Sequence, residues 1–377
     1  MSRLGRLASG LYDGRVSFDF VGRRKTWYIV SGAIVVIAII ALLPWRGLNF
    51  GIEFRGGVDF GIPNATCSVT QAREVAETET GAQAIVTQTG TGTVRVQTET
   101  LTPQESNQVA KALGAACGVS ADSIAIQSVS ATWGGEITRK ALQALIVFLI
   151  LLVIFLSIYF EWRMAVAALV ALAHDLVITI GIYALTGLEV TPATVIGLLT
   201  ILGYSLYDTV VVFDKVRENT RGITGQSRLT YGEAANLAVN QTLVRSINTT
   251  VVALLPVLSI IIIGAVLLGA GTLLDLAVAL GVGMAAGAYS SVFVATPFLV
   301  QIKERQKDIK ALSNRVLSRR PGGAKGTPVS DVAADDADGE AAAVASSKAS
   351  SPKSSPASAT SKGRPASRPS GKPKRKR

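Results

Sequence analysis

Six long apolar segments constrain the fold of this chain more than any other feature of its sequence. Each approaches or exceeds the roughly 20 residues that an α-helix needs to cross a hydrocarbon core about 30 Å thick. Because lipid offers no partner to backbone N–H and C=O groups, such segments must be helices that pack together as a bundle. The predicted spans are 27–45, 141–160, 164–186, 192–213, 244–268 and 272–300.

The first segment has an alternative interpretation as a signal peptide that is removed after export. Its apolar run is about 18 residues long, which is more than the apolar region of a signal peptide usually has. The stretch Leu43-Pro44-Trp45 also lacks the small residues of a cleavage site. We therefore predict a permanent first span.

Lys and Arg residues cluster in three segments outside the predicted spans. With six spans all three segments lie on one side, and the positive-inside tendency makes that side cytoplasmic. The N-terminal segment 1–26, the loop 214–243 and the C-terminal tail 301–377 are then predicted to be cytoplasmic. The basic residues are Arg3, Arg6, Arg15, Arg23, Arg24, Lys25, Lys215, Arg217, Arg221, Arg228, Lys303, Arg305 and Lys307.

The net charge of +11 belongs entirely to the tail. Residues 301–377 hold 18 Lys and Arg against 7 Asp and Glu, whereas residues 1–300 carry equal numbers of each sign. From about residue 321 the tail is mostly Ala, Ser, Pro, Gly and Lys, so we predict disorder because it cannot bury enough apolar surface to fold alone. A solvated tail is one interpretation, and attraction to anionic lipid or to the ribosome is the other.

Residues 46–138 form the only sizeable segment outside the spans before the tail, and the topology places them on the extracytoplasmic side. "GGVDFGI" (56–62) is strand-like, and "DSIAIQSVSAT" (122–132) closes the segment as another strand. Between them, "AIVTQT" and "TVRVQTE" flank Gly90-Thr91-Gly92, a pattern that predicts a β-hairpin.

Two helices complete this segment. "TQAREVAETETG" (70–81) is typical of a short polar helix. The second is indicated by Thr102 as N-cap, Pro103 at the first helical position and Glu105, which completes a capping box. The resulting order β-α-β-β-α-β predicts a small ferredoxin-like α+β domain.

Both cysteines, Cys67 and Cys117, lie in this predicted domain, on the oxidising side of the membrane. A disulfide between them would stabilise the domain by roughly 3–4 kcal/mol in the chain-entropy model. Two separately buried thiols are the alternative, since cysteine is among the most buried residue types. The pattern leaves both open, and it predicts no metal site.

Three ionisable residues within the predicted spans are candidates for function, because a charge there costs about 2.5–3.5 kcal/mol even on the lenient insertion scale. Asp175, beside His174, is near the middle of the third span; Asp208 is in the inner part of the fourth; Arg245 opens the fifth. At 1.5 Å per residue Asp208 lies about 7–8 Å from the end of its span. Arg245 enters from the same side, so the two could share a depth and pair across adjacent helices.

Each of these residues also has a purely structural interpretation. Arg245 could snorkel to the lipid headgroups, and both aspartates could make interhelical hydrogen bonds with no further role. Tyr204 and Ser205 share the helix face of Asp208, so their hydroxyls could hydrogen-bond its carboxylate.

Six blocks of the sequence combine into a recognisable set: "LNFGIEFRGGVDF" (48–60), "GGEITRKAL" (134–142), "AHDLVITIGIYALTG" (173–187), "GYSLYDTVVVFDKVREN" (203–219), "NQTLVRSINTT" (240–250) and "YSSVFVATP" (289–297). Together they closely resemble the SecF family, a membrane subunit of the bacterial Sec protein-export machinery. The resemblance covers residues 15–303 or so, with the blocks in family order. Arg55 departs from it, since the family usually has Thr or a similar small polar residue there.

This resemblance implies the partners and the task. SecF-like chains pair with SecD, a related six-span protein, in a twelve-span unit similar to resistance-nodulation-division exporters. That unit associates with the SecYEG channel, with YajC and YidC as further candidate partners, and uses the proton-motive force to help the translocating polypeptide leave the channel. No enzymatic activity, cofactor or metal is implied.

The resemblance also implies a site. In the family an Asp of the fourth span and an Arg of the fifth are implicated in proton transfer, and they fall on Asp208 ("LYDTV") and Arg245 ("LVRSI"). The His-Asp pair of the family falls on His174 and Asp175, as supporting residues.

Three other functions compete with this interpretation. An intramembrane aspartyl protease would use Tyr207-Asp208, but it would need a Gly-x-Gly-Asp motif in another span, which the sequence lacks. A small-molecule exporter of the related superfamily usually has twelve spans and two large external domains in one chain. A non-conducting scaffold subunit is the third alternative.

Overall fold

The structure, a computed structural model, describes residues 17–43, 47–88, 92–267 and 271–320. Within them six helices are long and apolar enough to cross a membrane, which confirms the predicted polytopic bundle. The first five are Arg24–Leu42, Ala131–Tyr159, Trp162–Thr186, Pro192–Asn219 and Tyr231–Ser259. The fifth continues as a π-helix, Ile260–Leu267, and the sixth span comprises Gly271–Ser290, a π-helical segment Ser291–Ala295, and Thr296–Lys303.

Several helices extend beyond the apolar runs that predict them. The fourth continues to Asn219 and the fifth begins at Tyr231, so the predicted loop 214–243 is mostly helical. Thr230 caps the fifth helix in a capping box with Glu233. Helical hydrogen bonding does not depend on lipid, so a well-capped polar helix continues where the hydropathy falls.

Small residues bring the central helices close together. The third and sixth spans are the most buried of the six, and the third has alanines at five buried positions, Ala165, Ala167, Ala168, Ala171 and Ala184. A Cβ added at Gly181 would collide with Ala38 of the first span, and one at Gly283 would collide with Ile201 of the fourth. Close backbone approach of this kind is how membrane helices gain packing energy, since lipid supplies little drive for association.

A small α/β domain follows the first span, and it has the predicted ferredoxin-like order. Its strands are β2 (Gly57–Ile62), β3 (Ile85–Gln88), β4 (Val94–Thr98) and β5 (Ala125–Val129), after a two-residue strand β1 (Asn49–Phe50). Strands β2 to β5 form an antiparallel sheet in the order β3-β4-β2-β5. The predicted turn at Gly90-Thr91-Gly92 lies partly outside the described residues.

Two helices, Val69–Thr80 and Pro103–Cys117, cover one face of this sheet. The second begins with the predicted capping box, because Thr102 and Glu105 exchange hydrogen bonds across its first turn. Fully buried Val58, Phe60 and Leu113 lie in the core between helices and sheet. A disulfide joins Cys67 to Cys117 at the edge of this core.

The domain is attached to one end of the bundle, which we call the domain side. β1 pairs in parallel with β6 (Glu189–Val190), which connects the third and fourth spans. Arg95 on β4 forms ion pairs with Asp59 on β2 and, at 3.5 Å, with Glu189. Gln97 also donates to Glu189 at 2.9 Å. Backbone pairing and charge therefore both fix the domain to the loop between two spans.

The opposite end of the bundle, which we call the terminal side, holds both ends of the described chain. The side-chain oxygens of Asn236 and Asn240 accept from the backbone N–H groups of Phe20 and Phe18, each at 2.8 Å. Arg24 pairs with Glu304 at 2.7 Å. An amphipathic helix that the sequence analysis did not predict, Lys307–Arg319, buries Ile309, Leu312 and Val316 here. The tail from 321 lies outside the described residues.

Candidate functional site

Asp208 lies in the interior of the bundle, on the fourth span. Its side chain is buried, with 5% of the residue exposed. The hydroxyl of Ser246 on the fifth span donates to one carboxylate oxygen at 2.6 Å, and the hydroxyl of Ser291 on the sixth span donates to the other. One carboxylate thus connects three spans through hydrogen bonds to hydroxyl groups.

Arg245 does not pair with Asp208, which corrects the geometry expected from the sequence. Its guanidinium is exposed and donates to the hydroxyl of Tyr207 at 3.1 Å. Adjacent residues of an α-helix point about 100° apart. Ser246 faces Asp208, so Arg245 points away from the buried side of this helix pair. There it contacts Tyr207, the neighbour of Asp208 along the chain. The two helices therefore meet through two parallel pairs, Asp208 with Ser246 and Tyr207 with Arg245.

Asp175 is a second buried carboxylate, on the third span, with only 2% of the residue exposed. One of its oxygens accepts from Ser205 of the fourth span at 2.5 Å and from Ser290 of the sixth at 2.7 Å. The expectation that Ser205 hydrogen-bonds Asp208 is therefore wrong. Ser205 lies three residues before Asp208, so it shares its general face, but it points to the third span instead of the fifth.

Tyr204, the other hydroxyl expected at Asp208, does not reach that carboxylate among the described contacts. Its ring packs on an apolar cluster between the fourth, fifth and sixth spans that includes Ile201, Val257 and Met284. We conclude that Tyr204 contributes packing there.

His174 links Asp175 to the first and sixth spans. Its Nδ1 lies 3.1 Å from Asp175. Its ring stacks on that of Tyr289 with 6.1 Å between centroids, and the Tyr289 hydroxyl lies 2.9 Å from that of Ser31. The other ring nitrogen, Nε2, is buried without a hydrogen-bond partner in the described part of the chain.

Three serines of this site were not identified from the sequence: Ser246, Ser290 and Ser291. The latter two are consecutive, and they mark the point where the sixth span changes from α-helix to π-helix. Such π-helical segments within α-helices are frequent at functional sites. The signal was present in "YSSVFVATP", where two hydroxyl residues interrupt an apolar run, but sequence alone did not say which carboxylate they meet.

Gly287 allows the sixth span to approach closely enough for these contacts. A Cβ at this position would lie 2.8 Å from the Cβ of Ser205. The motif Gly283-Met-Ala-Ala-Gly287, which is common in membrane helices, therefore has a specific role here. It holds the serines of the sixth span within hydrogen-bond distance of both carboxylates.

A cavity of about 790 Å³ lies beside the site, among the first, fifth and sixth spans and the N-terminal segment. Its wall includes Ser246 and Tyr289, and Asp19 and Arg23 line it on the terminal side. Because Ser246 donates directly to Asp208, this cavity reaches to within one hydrogen bond of the carboxylate.

The fold and the site together define a class of protein. Ionisable side chains in membrane spans usually mark ion pathways or proton relays. Here two buried carboxylates are held by hydroxyl groups that can both donate and accept a hydrogen bond. Within the described residues no group of three or more His, Cys, Asp or Glu side chains is arranged to hold a metal ion. The chain is a polytopic membrane protein with buried carboxylates in a polar core.

Comparison with known proteins specifies the family. The model of the family described as "Protein export membrane protein SecD/SecF, C-terminal" matches residues 108–305. Protein translocase subunit SecF of Streptomyces coelicolor is 52% identical over 337 residues, which is 89% of this chain and 90% of the relative. SecF of Mycobacterium tuberculosis is 45% identical, covering 86% of this chain and 76% of the relative. The chain belongs to the SecF family.

A solved structure has the same fold. The crystal structure of SecDF from Thermus thermophilus, described as a translocon-associated membrane protein, matches with a TM-score of 0.69 and 30% sequence identity. The match covers 78% of this chain but 39% of the SecDF chain. SecDF of Bacillus subtilis is 31% identical, with 77% of this chain and 38% of the relative aligned. In these relatives the region similar to our chain is therefore fused to a longer partner region.

Proposed function

We propose that this protein acts with SecD as a proton-driven subunit that promotes late steps of protein translocation through the SecYEG channel. The observation that carries the proposal is the buried carboxylate of Asp208, which meets the fifth span beside Arg245. Such a group can be neutral or charged, and the two states favour different arrangements of the helices around it.

The two parallel pairs, Asp208 with Ser246 and Tyr207 with Arg245, indicate how protonation would be coupled to movement of the fifth span. A rotation of the fifth span by one residue's step, about 100°, would replace Ser246 by Arg245 in front of Asp208. Hydroxyl partners can donate to an ionised carboxylate or accept from a protonated carboxyl, whereas a guanidinium contact holds only the ionised form. One proton that moves down a potential of 100 mV releases about 2.3 kcal/mol, which is enough to bias two arrangements of similar energy.

The partners and the orientation belong to the same proposal. SecDF relatives more than twice as long as the matched region support association with SecD as a separate chain. SecYEG, YajC and YidC, together with the emerging polypeptide, complete the proposed assembly. The basic segments on the terminal side support a cytoplasmic location for both termini, so the α/β domain would meet the polypeptide outside the cytoplasm.

A single substitution tests proton coupling. Asp208→Asn keeps the shape of the side chain but replaces the carboxylate, which can gain and lose a proton, by a neutral amide. We expect it to abolish the stimulation of protein export by the proton-motive force in membrane vesicles, while the complex with SecD still assembles. The matched control is Asp214→Asn, at an exposed position of the same helix, which we expect to export like the wild type. Undiminished stimulation in Asp208→Asn would refute the proposal and favour a scaffold subunit.

A further inference from the structure

Ser290 and Ser291 differ from the other hydroxyl groups of the site. Each lies within hydrogen-bond distance of two acceptors, a carboxylate and a carbonyl oxygen of its own helix. Ser290 reaches Asp175 at 2.7 Å and the carbonyl of Gly287 at 3.2 Å. Ser291 reaches Asp208 and, at 3.1 Å, the carbonyl of Ala288. A hydroxyl has one hydrogen, so it donates to one of these acceptors at a time.

Ser205 and Ser246 provide the comparison. Ser205 donates to the same carboxylate as Ser290, and Ser246 donates to the same carboxylate as Ser291. For these two hydroxyls the described contacts include only the carboxylate as acceptor. All four serines are buried, with at most 2% of each exposed. The two pairs thus differ in whether the hydrogen has a second acceptor.

The protonation state of a carboxylate determines which acceptor a sixth-span serine uses. An ionised carboxylate only accepts, so the serine hydrogen points to it. A protonated carboxyl can donate its own O–H to the serine oxygen, and the serine hydrogen then turns to the backbone carbonyl. The carboxyl gains one proton, the hydroxyl keeps its own, and no covalent bond of the serine changes.

The carbonyls concerned lie at the start of the π-helical segment Ser291–Ala295. In an α-helix the carbonyl of Gly287 would accept from the backbone N–H of Ser291, and in a π-helix from that of Val292. A serine hydroxyl that donates to this carbonyl competes with those amides. The hydroxyl of Thr296, the residue after the segment, donates to the carbonyl of Ser291 at its start, at 3.1 Å. The backbone there has more than one way to satisfy its polar groups.

We propose that Ser290 and Ser291 are positioning residues through which the sixth span responds to the protonation of Asp175 and Asp208. When either carboxyl takes up a proton, its serine shifts to the backbone carbonyl and changes the balance between α and π hydrogen bonding. The sixth span then moves as one element because its two serines are adjacent. The inference rests on the proposed function, since it assumes that these carboxyls change protonation during work.

Other titratable or charged groups surround the two carboxyls, and a pH-dependent measurement includes them. They are His174 on the third span, Tyr204 and Tyr207 on the fourth, Arg245 on the fifth and Tyr289 on the sixth. The test must therefore compare variants in which all of them are kept.

The test uses two double variants in the protein purified with SecD. Ser290→Ala with Ser291→Ala removes the hydroxyls that have two acceptors, and Ser205→Ala with Ser246→Ala removes the two that have one. Each double variant takes one donor from each carboxylate. We measure amide hydrogen exchange in residues 287–296 between pH 5 and pH 9. Exchange is expressed as protection relative to an unstructured amide at the same pH, because the intrinsic exchange rate itself depends on pH. In the wild type we expect a pH-dependent change in exchange, which is lost in the first variant and kept in the second.

Two results would overturn the inference. If exchange in Ser290→Ala with Ser291→Ala still changes with pH as in the wild type, the sixth span does not respond through these hydroxyls. If both double variants lose the change equally, the sixth-span serines are ordinary donors. Should the double variants not accumulate, the single exchanges Ser290→Ala and Ser205→Ala give the same comparison at Asp175. All these variants keep both carboxylates, so the outcome is separate from that of Asp208→Asn.

Discussion

Asp175 and Asp208 are each surrounded by hydroxyl groups rather than by a cation. A charge within a membrane span costs about 2.5–3.5 kcal/mol on the insertion scale, and a hydrogen bond to a charged group contributes about 1.5–3 kcal/mol. The two hydroxyl donors on each carboxylate therefore offset a charge without making it permanent. An Arg in direct contact would hold the ionised form much more strongly. Hydroxyl partners are therefore compatible with the proposed gain and loss of a proton.

The position of Arg245 is consistent with the same requirement. Its guanidinium lies beside the site and donates to the Tyr207 hydroxyl, while Ser246, the next residue of the fifth span, contacts Asp208. The rotation of the fifth span that we propose would bring this guanidinium to Asp208.

Gly287 gives a prediction at the scale of one residue. Gly287→Ala places a Cβ 2.8 Å from the Cβ of Ser205, so the fourth and sixth spans must separate. We expect a loss of about 1–3 kcal/mol in stability, the usual cost of overpacking, together with weaker proton-dependent export. Thermal unfolding in detergent measures the first effect.

The control for this prediction is Gly203→Ala on the fourth span, where an added Cβ meets no atom within 4 Å. That exchange should leave stability unchanged or raise it by up to about 1 kcal/mol, since Ala favours helix over Gly. Equal losses at the two glycines would mean that the close contact at Gly287 is unimportant.

At the scale of elements, the caps explain where the helices begin. Thr102 and Thr230 each start a helix with a capping box, and Ser130 caps the second span through the backbone N–H of Trp133. These caps lie in polar sequence, before the apolar run in the case of the second and fifth spans. The hydropathy therefore marks the part of a helix that lies in lipid, and the N-cap marks the residue at which the helix begins.

Thr102 gives the prediction at this scale. Thr102→Ala removes the side chain that accepts from the backbone N–H of Glu105, and we expect the α/β domain to lose about 1 kcal/mol. The hydrogen bonds from Thr102 also lower the pKa of the Glu105 carboxyl. A lowered pKa contributes stability at neutral pH that disappears as the pH falls through the acidic range, so the difference between variant and wild type should shrink in acid.

Chemical unfolding followed at several pH values measures this effect. The control is Thr100→Ala, an exposed threonine two residues earlier, which should unfold like the wild type. A Thr102→Ala protein with unchanged stability at neutral pH would show that the cap does not limit the stability of the domain.

At the scale of the whole molecule, the α/β domain and the bundle meet around a partly buried carboxyl, that of Glu189. Glu189 contacts Arg95 and Gln97 of the domain, and it lies in the strand that joins two spans. Burial raises the pKa of the Glu189 carboxyl, and this effect outweighs the opposing attraction of Arg95. We therefore expect the stability of the junction between domain and bundle to depend on pH.

Glu189→Gln tests this sensitivity. A raised pKa in the folded protein means that ionisation costs stability at neutral pH, and the cost disappears as the pH falls through the raised pKa. We expect the neutral glutamine, which can keep the contact with Gln97, to be more stable than the wild type near pH 7. That advantage should vanish below the ordinary pKa of a glutamate.

Thermal unfolding of both proteins across this pH range measures the difference. The control is Glu99→Gln, an exposed residue just after β4, for which no such dependence is expected. An advantage of Glu189→Gln that stayed constant with pH would contradict a role for burial of the charge.

The sequence by itself determined the features that depend on short stretches of chain. Six apolar runs, the order of strands and helices in the α/β domain, and the box at Thr102 and Glu105 were all predicted and are present. Each follows from local physics, because a span needs only length and hydropathy, and a cap needs only residues three positions apart. The extension of the helices into 214–243 was missed because polar helices carry no hydropathy signal.

Only the tertiary structure decided which side chains meet inside the bundle. The sequence identified Asp208, Arg245, Asp175 and His174 as polar residues in apolar surroundings, but it allowed Arg245 and Ser205 to contact Asp208. In the structure Arg245 contacts Tyr207, and Ser205 contacts Asp175. The rotation of each helix about its axis decides this, and that rotation is set by how all six helices pack through contacts such as Gly287 against Ser205. No single helix contains that information.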